Sequence, residues 1–188
     1  MLKFSQTSLP EVLLIEPQRF PDSRGYFIEQ YHESKYREIG VDCGFVQDNM
    51  SFSTQGVTRG LHFQFPLAQA KLISVVSGEI FDVAVDIRVG SPNFGKWCGE
   101  ILSADNCRQL FIPAGFAHGF CALSEGALVT YKCSALYDPK SDASIAFDDP
   151  DIAIDWPKLN LILSDKDRAA KPLSQLPPDS LPQYKSVV

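Results

Sequence analysis

Short runs of β-branched, aromatic and aliphatic residues, each closed by a turn signal, constrain this chain more than any other feature of its sequence. The runs are Val12–Ile15, Tyr26–Tyr31, Phe45–Phe52, Val57–Gln64, Leu72–Ser77 and Ile80–Ile87 in the first part of the chain. Lys96–Leu102, Gln109–Ile112, Gly119–Leu123, Leu128–Ala135 and Ser144–Phe147 follow. Between them lie Asp22-Ser23-Arg24-Gly25, Ser77-Gly78, Gly90-Ser91-Pro92-Asn93 and Ser124-Glu125-Gly126. Each of these supplies a residue that presets a turn or tolerates positive φ. The stretch Phe81–Ile87 alternates bulky apolar residues with Asp82, Ala84 and Asp86, the period of a half-buried strand. Helical patterns are confined to Ser34–Ile39 and the region around Ser164–Ala170, which opens with a Ser164/Asp167 capping pair. Many short strands with few helices predict an all-β sandwich or barrel. At 188 residues the chain is expected to form one domain with a sizeable core. The prolines at 172, 177, 178 and 182 predict a tail that packs over the barrel or trails away.

Charge and cysteine usage narrow the partners. A net charge of −6 argues against nucleic acid or an anionic membrane surface, but a local group of Arg and Lys still suits a phosphorylated small molecule. The five cysteines are odd in number and without C-x-x-C spacing, which predicts reduced thiols rather than a disulfide framework or a zinc site. The N-terminal apolar run VLLI is too short for a signal-peptide core, and no stretch approaches a membrane span, so a cytoplasmic protein is expected.

Two polar clusters interrupt the apolar pattern. In the first, Gln47 and Asn49 share one face of a strand while Asp48 points away, and Arg59, His62, Gln64 and Lys71 follow. On parity alone the two amides serve a ligand inside a barrel or satisfy backbone groups equally well. The second is Pro113-Ala114-Gly115-Phe116-Ala117-His118, a turn followed by a strand that delivers a histidine into a concave interior. Arg59 and His62 are three apart, so a regular strand would face them oppositely. Either Gly60 marks a bulge that turns both inward, or Arg59 reaches the site of a neighbouring subunit.

These two segments resemble the paired motifs of the cupin superfamily, a jelly-roll barrel. The metal-binding pattern of that superfamily is incomplete here. Gln64 stands where a second histidine would be, no Glu lies between it and Glu79, and an amide and an ammonium are poor transition-metal ligands. No metal and no cofactor are therefore expected. The strings RGLHFQ, FDVAVDIRVGSPNFGKW, LFIPAGFAHGF, TYKC and LSDKD, in this order from about Pro17 to Arg168, resemble the dTDP-4-dehydrorhamnose 3,5-epimerase family more closely.

The resemblance implies a cofactor-free isomerase that acts on a nucleotide-linked 4-keto-6-deoxy sugar and works as a homodimer. It assigns His62 as the base, Asp167 as its partner with Asp165 as competitor, and Tyr131 as the acid on the opposite face. It assigns Lys71 to charge developing on the C4 oxygen. Along Ala127, Val129, Tyr131 and Cys133 the parity places Tyr131 on a small-apolar, inward face. Substrate contacts implied by the resemblance are Arg24 and Arg59 for the diphosphate and Phe27 and Tyr137 for the base. Glu29, Gln47, Asn49, His118, Asp142 and Lys166 are further matched positions, Asp142 standing where Glu is commoner. A C3-only epimerase, a sugar-binding cupin without catalysis and a metal-dependent oxygenase are the alternatives.

Overall fold

The computed structural model describes residues 2–184. The chain opens with β1 (Lys3–Gln6), β2 (Leu13–Glu16), β3 (Arg19–Asp22) and β4 (Gly25–Ile28), then a short helix α1 (Glu33–Arg37). Next come β5 (Gln47–Thr54), β6 (Thr58–Gln64), β7 (Lys71–Ser77), β8 (Glu79–Asp86) and β9 (Trp97–Ser103). β10 (Gln109–Ile112), β11 (Phe116–Ala122), β12 (Gly126–Cys133) and β13 (Asp142–Ser144) complete the strands, and α2 (Asp165–Arg168) follows. The all-β prediction therefore holds, with two helices where the sequence placed them. β1 and β3 were not legible; β3 carries Pro21 and tolerates it because it belongs to an isolated two-stranded hairpin with β4.

Two antiparallel sheets face each other, one of six strands in the order β1-β2-β10-β7-β12-β5 and one of five in the order β13-β6-β11-β8-β9. From β5 to β13 the chain passes back and forth between the sheets, leaving the five-stranded sheet to itself only at β8–β9. That winding is a jelly-roll barrel. The core between the sheets is built from Ile73, Val75, Val129, Leu110 and Ile112 on one side and Ile80, Ala84, Phe116 and Phe120 on the other.

Both sheets are also covered on part of their outer faces. α1 and its surroundings pack Tyr36 and Val41 over Leu13, Leu72 and Phe111. The C-terminal segment packs Ile152, Leu173 and Leu181 over Leu61, Phe63, Val83 and Val85. β8 is consequently buried on both faces rather than half-buried. Asp149 anchors that segment: its buried carboxylate accepts from the backbone N–H groups of Asp151, Ile152 and Leu173. The proline-rich tail thus lies over the barrel.

β6 departs from regular pairing at the point that matters for the site. His118 faces His62 and Phe120 faces Arg59, so β6 spends one more residue than β11 between these partners. This β-bulge turns Arg59 and His62 to the same, inward side. Gly60 sits in it at φ +120°, and a Cβ there would fall 2.5 Å from the Cα of Gly119 and 2.7 Å from the His118 carbonyl oxygen. Gly60→Ala should lower stability by on the order of 3 kcal/mol or more, through positive φ plus a backbone clash. Gly44→Ala, where a Cβ meets nothing within 4 Å, serves as control. Denaturant titrations that rank the two variants equally would refute this account of the bulge.

Candidate active site

The barrel interior is apolar at one end and polar at the other. At the polar end, Gln47, Asn49, His62, Gln64, Lys71, Tyr131, Tyr137, Asp142 and Lys166 line a cleft of about 370 Å³. The strand registers explain the convergence. Cys133 of β12 lies between Gln47 of β5 and Lys71 of β7, and Tyr131 lies between Asn49 and Ile73, so these inward positions form adjacent rows. The expected parity of Gln47 and Asn49 is met, and Asp48 points outward to Lys132 at 3.0 Å.

His62 is positioned from outside the barrel sheets. Its Nε2 lies 2.6 Å from Oδ1 of Asp167, whose side chain is buried on α2. The other oxygen of Asp167 accepts from the Ser164 hydroxyl at 2.9 Å, while Ser164 Oγ in turn accepts from the Asp167 backbone N–H as the helix N-cap. The capping pair read from the sequence therefore also orients the partner of His62. Asp165 is fully exposed and pairs with Arg168, which leaves Asp167 as the carboxylate on the imidazole.

Burial sets the acid–base character of the other groups. It pushes the His62 imidazole below its ordinary value, against the hydrogen bond and charge of Asp167, which pull the other way. It also lowers Lys71 and raises Tyr131. Among the described residues, neither the Lys71 ammonium nor the Tyr131 hydroxyl has a hydrogen-bond or ion-pair partner, so both are free to meet a ligand in the cleft. Tyr131 is thus not a core tyrosine tied to a structural acceptor. A neutral His62 that donates Nε2–H to Asp167 leaves Nδ1 as the unprotonated, basic nitrogen.

The mouth of the cleft is held by polar links. Lys166 donates to Asp142 Oδ2, and the Tyr137 hydroxyl donates to the same oxygen at 3.2 Å. Gln47 Oε1 accepts from the Tyr137 backbone N–H at 2.8 Å, and Gln47 Nε2 donates to Asn49 Oδ1. Gln64 is occupied by structure: its Nε2 donates to the carbonyls of Leu67 and Leu136, and its Oε1 accepts from Asp138 N–H.

Five of the expected substrate contacts do not line this cleft. His118 is buried behind it with Nε2 2.7 Å from Asp82 Oδ1. Arg59 lies inward but donates to Ser53 Oγ and the Phe52 carbonyl. Arg24, Phe27 and Glu29 lie on or next to the β3–β4 hairpin, the first two exposed and Glu29 half-buried, with Arg24 paired to Asp22 and Glu29 to Lys35. Sequence reasoning missed Asp82 and the clamp made by Gln64. Asp82 carried a signal in its parity with Ala84, which places it on the interior face.

The charge of Asp167 should be felt by His62. Asp167→Asn removes the counter-charge of the imidazolium, so the titration midpoint of His62, followed by imidazole NMR, is expected at lower pH than in the native chain. An unchanged or higher midpoint would contradict the pairing.

Comparison with known proteins agrees with the fold. The family model described as dTDP-4-dehydrorhamnose 3,5-epimerase matches residues 6–175. The enzyme of that name from Methanothermobacter thermautotrophicus is 52% identical over 178 residues, covering 93% of this chain and 96% of the relative. A dTDP-6-deoxy-D-glucose-3,5-epimerase from Legionella pneumophila, solved in complex with dTDP-4-keto-L-rhamnose, superposes with a TM-score of 0.97 at 49% identity, covering 99% of this chain and all of that one. A 3′-monoepimerase from Streptomyces bikiniensis, solved with dTDP-quinovose, gives a TM-score of 0.89 at 33% identity, covering 95% of this chain and 92% of the other. The chain belongs to the dTDP-4-dehydrorhamnose 3,5-epimerase family.

Proposed function

We propose that this chain inverts C3 and C5 of dTDP-4-dehydro-6-deoxy-D-glucose, giving dTDP-4-dehydro-L-rhamnose for activated-rhamnose and polysaccharide synthesis in the cytoplasm. The observation that carries the reading is one juxtaposition. A histidine fixed by a buried carboxylate shares a cleft with an unpaired lysine and an unpaired tyrosine. The identity to 3,5-epimerases exceeds that to the 3′-monoepimerase, which favours inversion at both centres.

The chemistry follows from the carbonyl at C4, which acidifies the hydrogens on both flanking carbons. His62, neutral through burial, takes the proton from the flanking carbon with Nδ1. Asp167 stabilises the imidazolium that results, as a buried aspartate does for a catalytic histidine elsewhere. The electron pair moves onto the C4 oxygen, where the Lys71 ammonium stabilises it in a site of low dielectric. Tyr131, held protonated by burial, returns a proton to the opposite face and so inverts the centre. Every group in this sequence is a side chain of the chain itself, and no metal or cofactor is invoked.

Binding of the nucleotide is shared between subunits in this reading. Tyr137, Asp142 and Lys166 sit at the mouth of the cleft, and Arg59 lies inward behind Tyr131, lowering the proton affinity that burial raises. Arg24, Phe27 and Glu29 lie away from their own cleft, so they reach substrate from the second copy of a homodimer. Support comes from large apolar side chains left open to solvent: Phe27 is 67% exposed on the hairpin, and Met50 and Phe52 are 68% and 61% exposed on the edge strand β5.

Incubation with dTDP-4-dehydro-6-deoxy-glucose in heavy water, followed by NMR, should place deuterium at both C3 and C5. His62→Ala should abolish the exchange, and Tyr131→Phe should lower epimerisation by about 10²-fold or more. Label at C3 alone would assign the chain to the single-centre epimerases. Absence of exchange in folded protein would leave a sugar-binding role. Sedimentation should give twice the monomer mass, and mixing inactive His62→Ala with inactive Arg24→Ala chains should restore part of the activity if sites are completed across the dimer. A monomeric enzyme with full activity would exclude shared sites.

A further inference from the structure

Asp82 is a chemically unusual group that the proposed reaction leaves unused. It lies at the centre of β8, on the interior face between Ile80 and Ala84, with no exposed surface. Oδ1 meets His118 Nε2 at 2.7 Å, and among the described residues Oδ2 has no hydrogen-bond partner. A fully buried carboxylate oxygen without a protein donor is costly, which sets Asp82 apart from the paired carboxylates of the barrel. Among the described residues, no lysine or arginine lies within ion-pair reach of it.

The charge it acts on is identified by the groups around Lys71. Electrostatic influence on that ammonium comes from Cys133 on β12, Asp82 on β8, Asp142 on β13 and Lys166 on α2, and Lys71 in turn acts on His62 of β6. Lys166 and burial oppose the charge of Lys71. Asp142 already accepts from Lys166 and Tyr137, so much of its charge is matched at the cleft mouth. The Cys133 thiol is pushed up by burial and stays neutral. Asp82 is the carboxylate left without a cation of its own. His118, directly opposite His62 on the neighbouring strand, fixes it with a donated N–H.

We propose that Asp82 is a positioning residue of the reaction, held by His118, that supplies the interior negative charge needed to keep Lys71 an ammonium ion beside the substrate carbonyl. The proposal rests on the reading of Lys71 as the cation that receives the enolate charge. It also gives His118 an electrostatic task through Asp82. Asp82 acts through Lys71 and touches no reacting atom.

The test uses Asp82→Asn, which keeps the volume and an oxygen to accept from His118 but removes the charge. Competitive acetylation with trace acetic anhydride, read by peptide mass spectrometry, follows the fraction of free amine at Lys71 against exposed Lys140 and needs no substrate. The variant should acetylate Lys71 about threefold faster or more at neutral pH, because loss of the carboxylate favours the uncharged amine. In the epimerase assay, protonated Lys71 is required, so activity is lost as pH rises through its titration. The variant should lose about tenfold in kcat at alkaline pH and little at acid pH, the basic limb moving to lower pH.

Unchanged labelling of Lys71 in a folded variant overturns the proposal. Should the variant fail to fold, the native chain still decides. Lys71 that acetylates as a free amine at the pH of maximal activity overturns it, and Lys71 that is protected there supports it. Native enzyme without turnover, combined with Lys71 labelling that responds to Asp82→Asn, would overturn the epimerase reading and leave the charge pairing standing.

Discussion

Gly60 and Gly119 pass each other backbone against backbone, and the placement of the chemistry depends on that contact. A side chain on either residue would separate β6 from β11 and straighten the bulge. Without the additional residue that β6 spends there, Arg59 and His62 would project to opposite sides of the sheet. One would lie in the interior and the other under the C-terminal segment. The bulge is therefore the device by which a strand with a period of two turns two side chains three apart to the same, interior side.

The rest of the site follows from burying polar groups at one end of a barrel whose other end is a hydrophobic core. Desolvation acts on every titratable group there in the direction of its neutral form. For His62 this provides a lone pair, and for Tyr131 it preserves a proton to give. For Lys71 the same effect works against the chemistry, and only fixed negative charge opposes it. One physical cause thus favours the forms in which the proposed base and acid would act, while the role proposed for Lys71 calls for interior carboxylates. Sheet registers convert this into geometry, because Gln47, Cys133 and Lys71 share one row and Asn49, Tyr131 and Ile73 the next.

Local pattern carried much of this into the sequence. Alternation along β5 and β12 was enough to place Gln47, Asn49 and Tyr131 inward, and Ser164 with Asp167 marked the start of α2. What escaped depends on residues far apart in the chain. Asp82 and His118 are separated by 36 positions, and no local period relates them. The choice between Asp167 and Asp165 turned on which side of one helical turn packs against β6. Both faces of β8 are buried because Ile152, Leu173 and Leu181, far later in the chain, cover the outer one, which no local period records. Pro21 hid β3, since proline usually argues against a strand and is harmless in an isolated hairpin. Arg24, Phe27 and Glu29 were drawn from family resemblance alone, and their distance from the cleft is a property of quaternary arrangement that one chain does not encode locally.

Asp167 divides its two oxygens between Ser164 and His62, so a helix of four residues near the end of the chain completes a histidine near its first third. The segment that carries this helix docks through single parallel bridges, Ile162 to Val57 and Lys171 to Ile145. During synthesis on the ribosome, β6 leaves the exit tunnel more than a hundred residues before Asp167 does. The barrel strands are by then available to pair, while the imidazole still lacks its orienting carboxylate. The contact that orients His62 is thereby completed only after every barrel strand has been made, so the order of synthesis separates the building of the cleft from the fixing of its histidine.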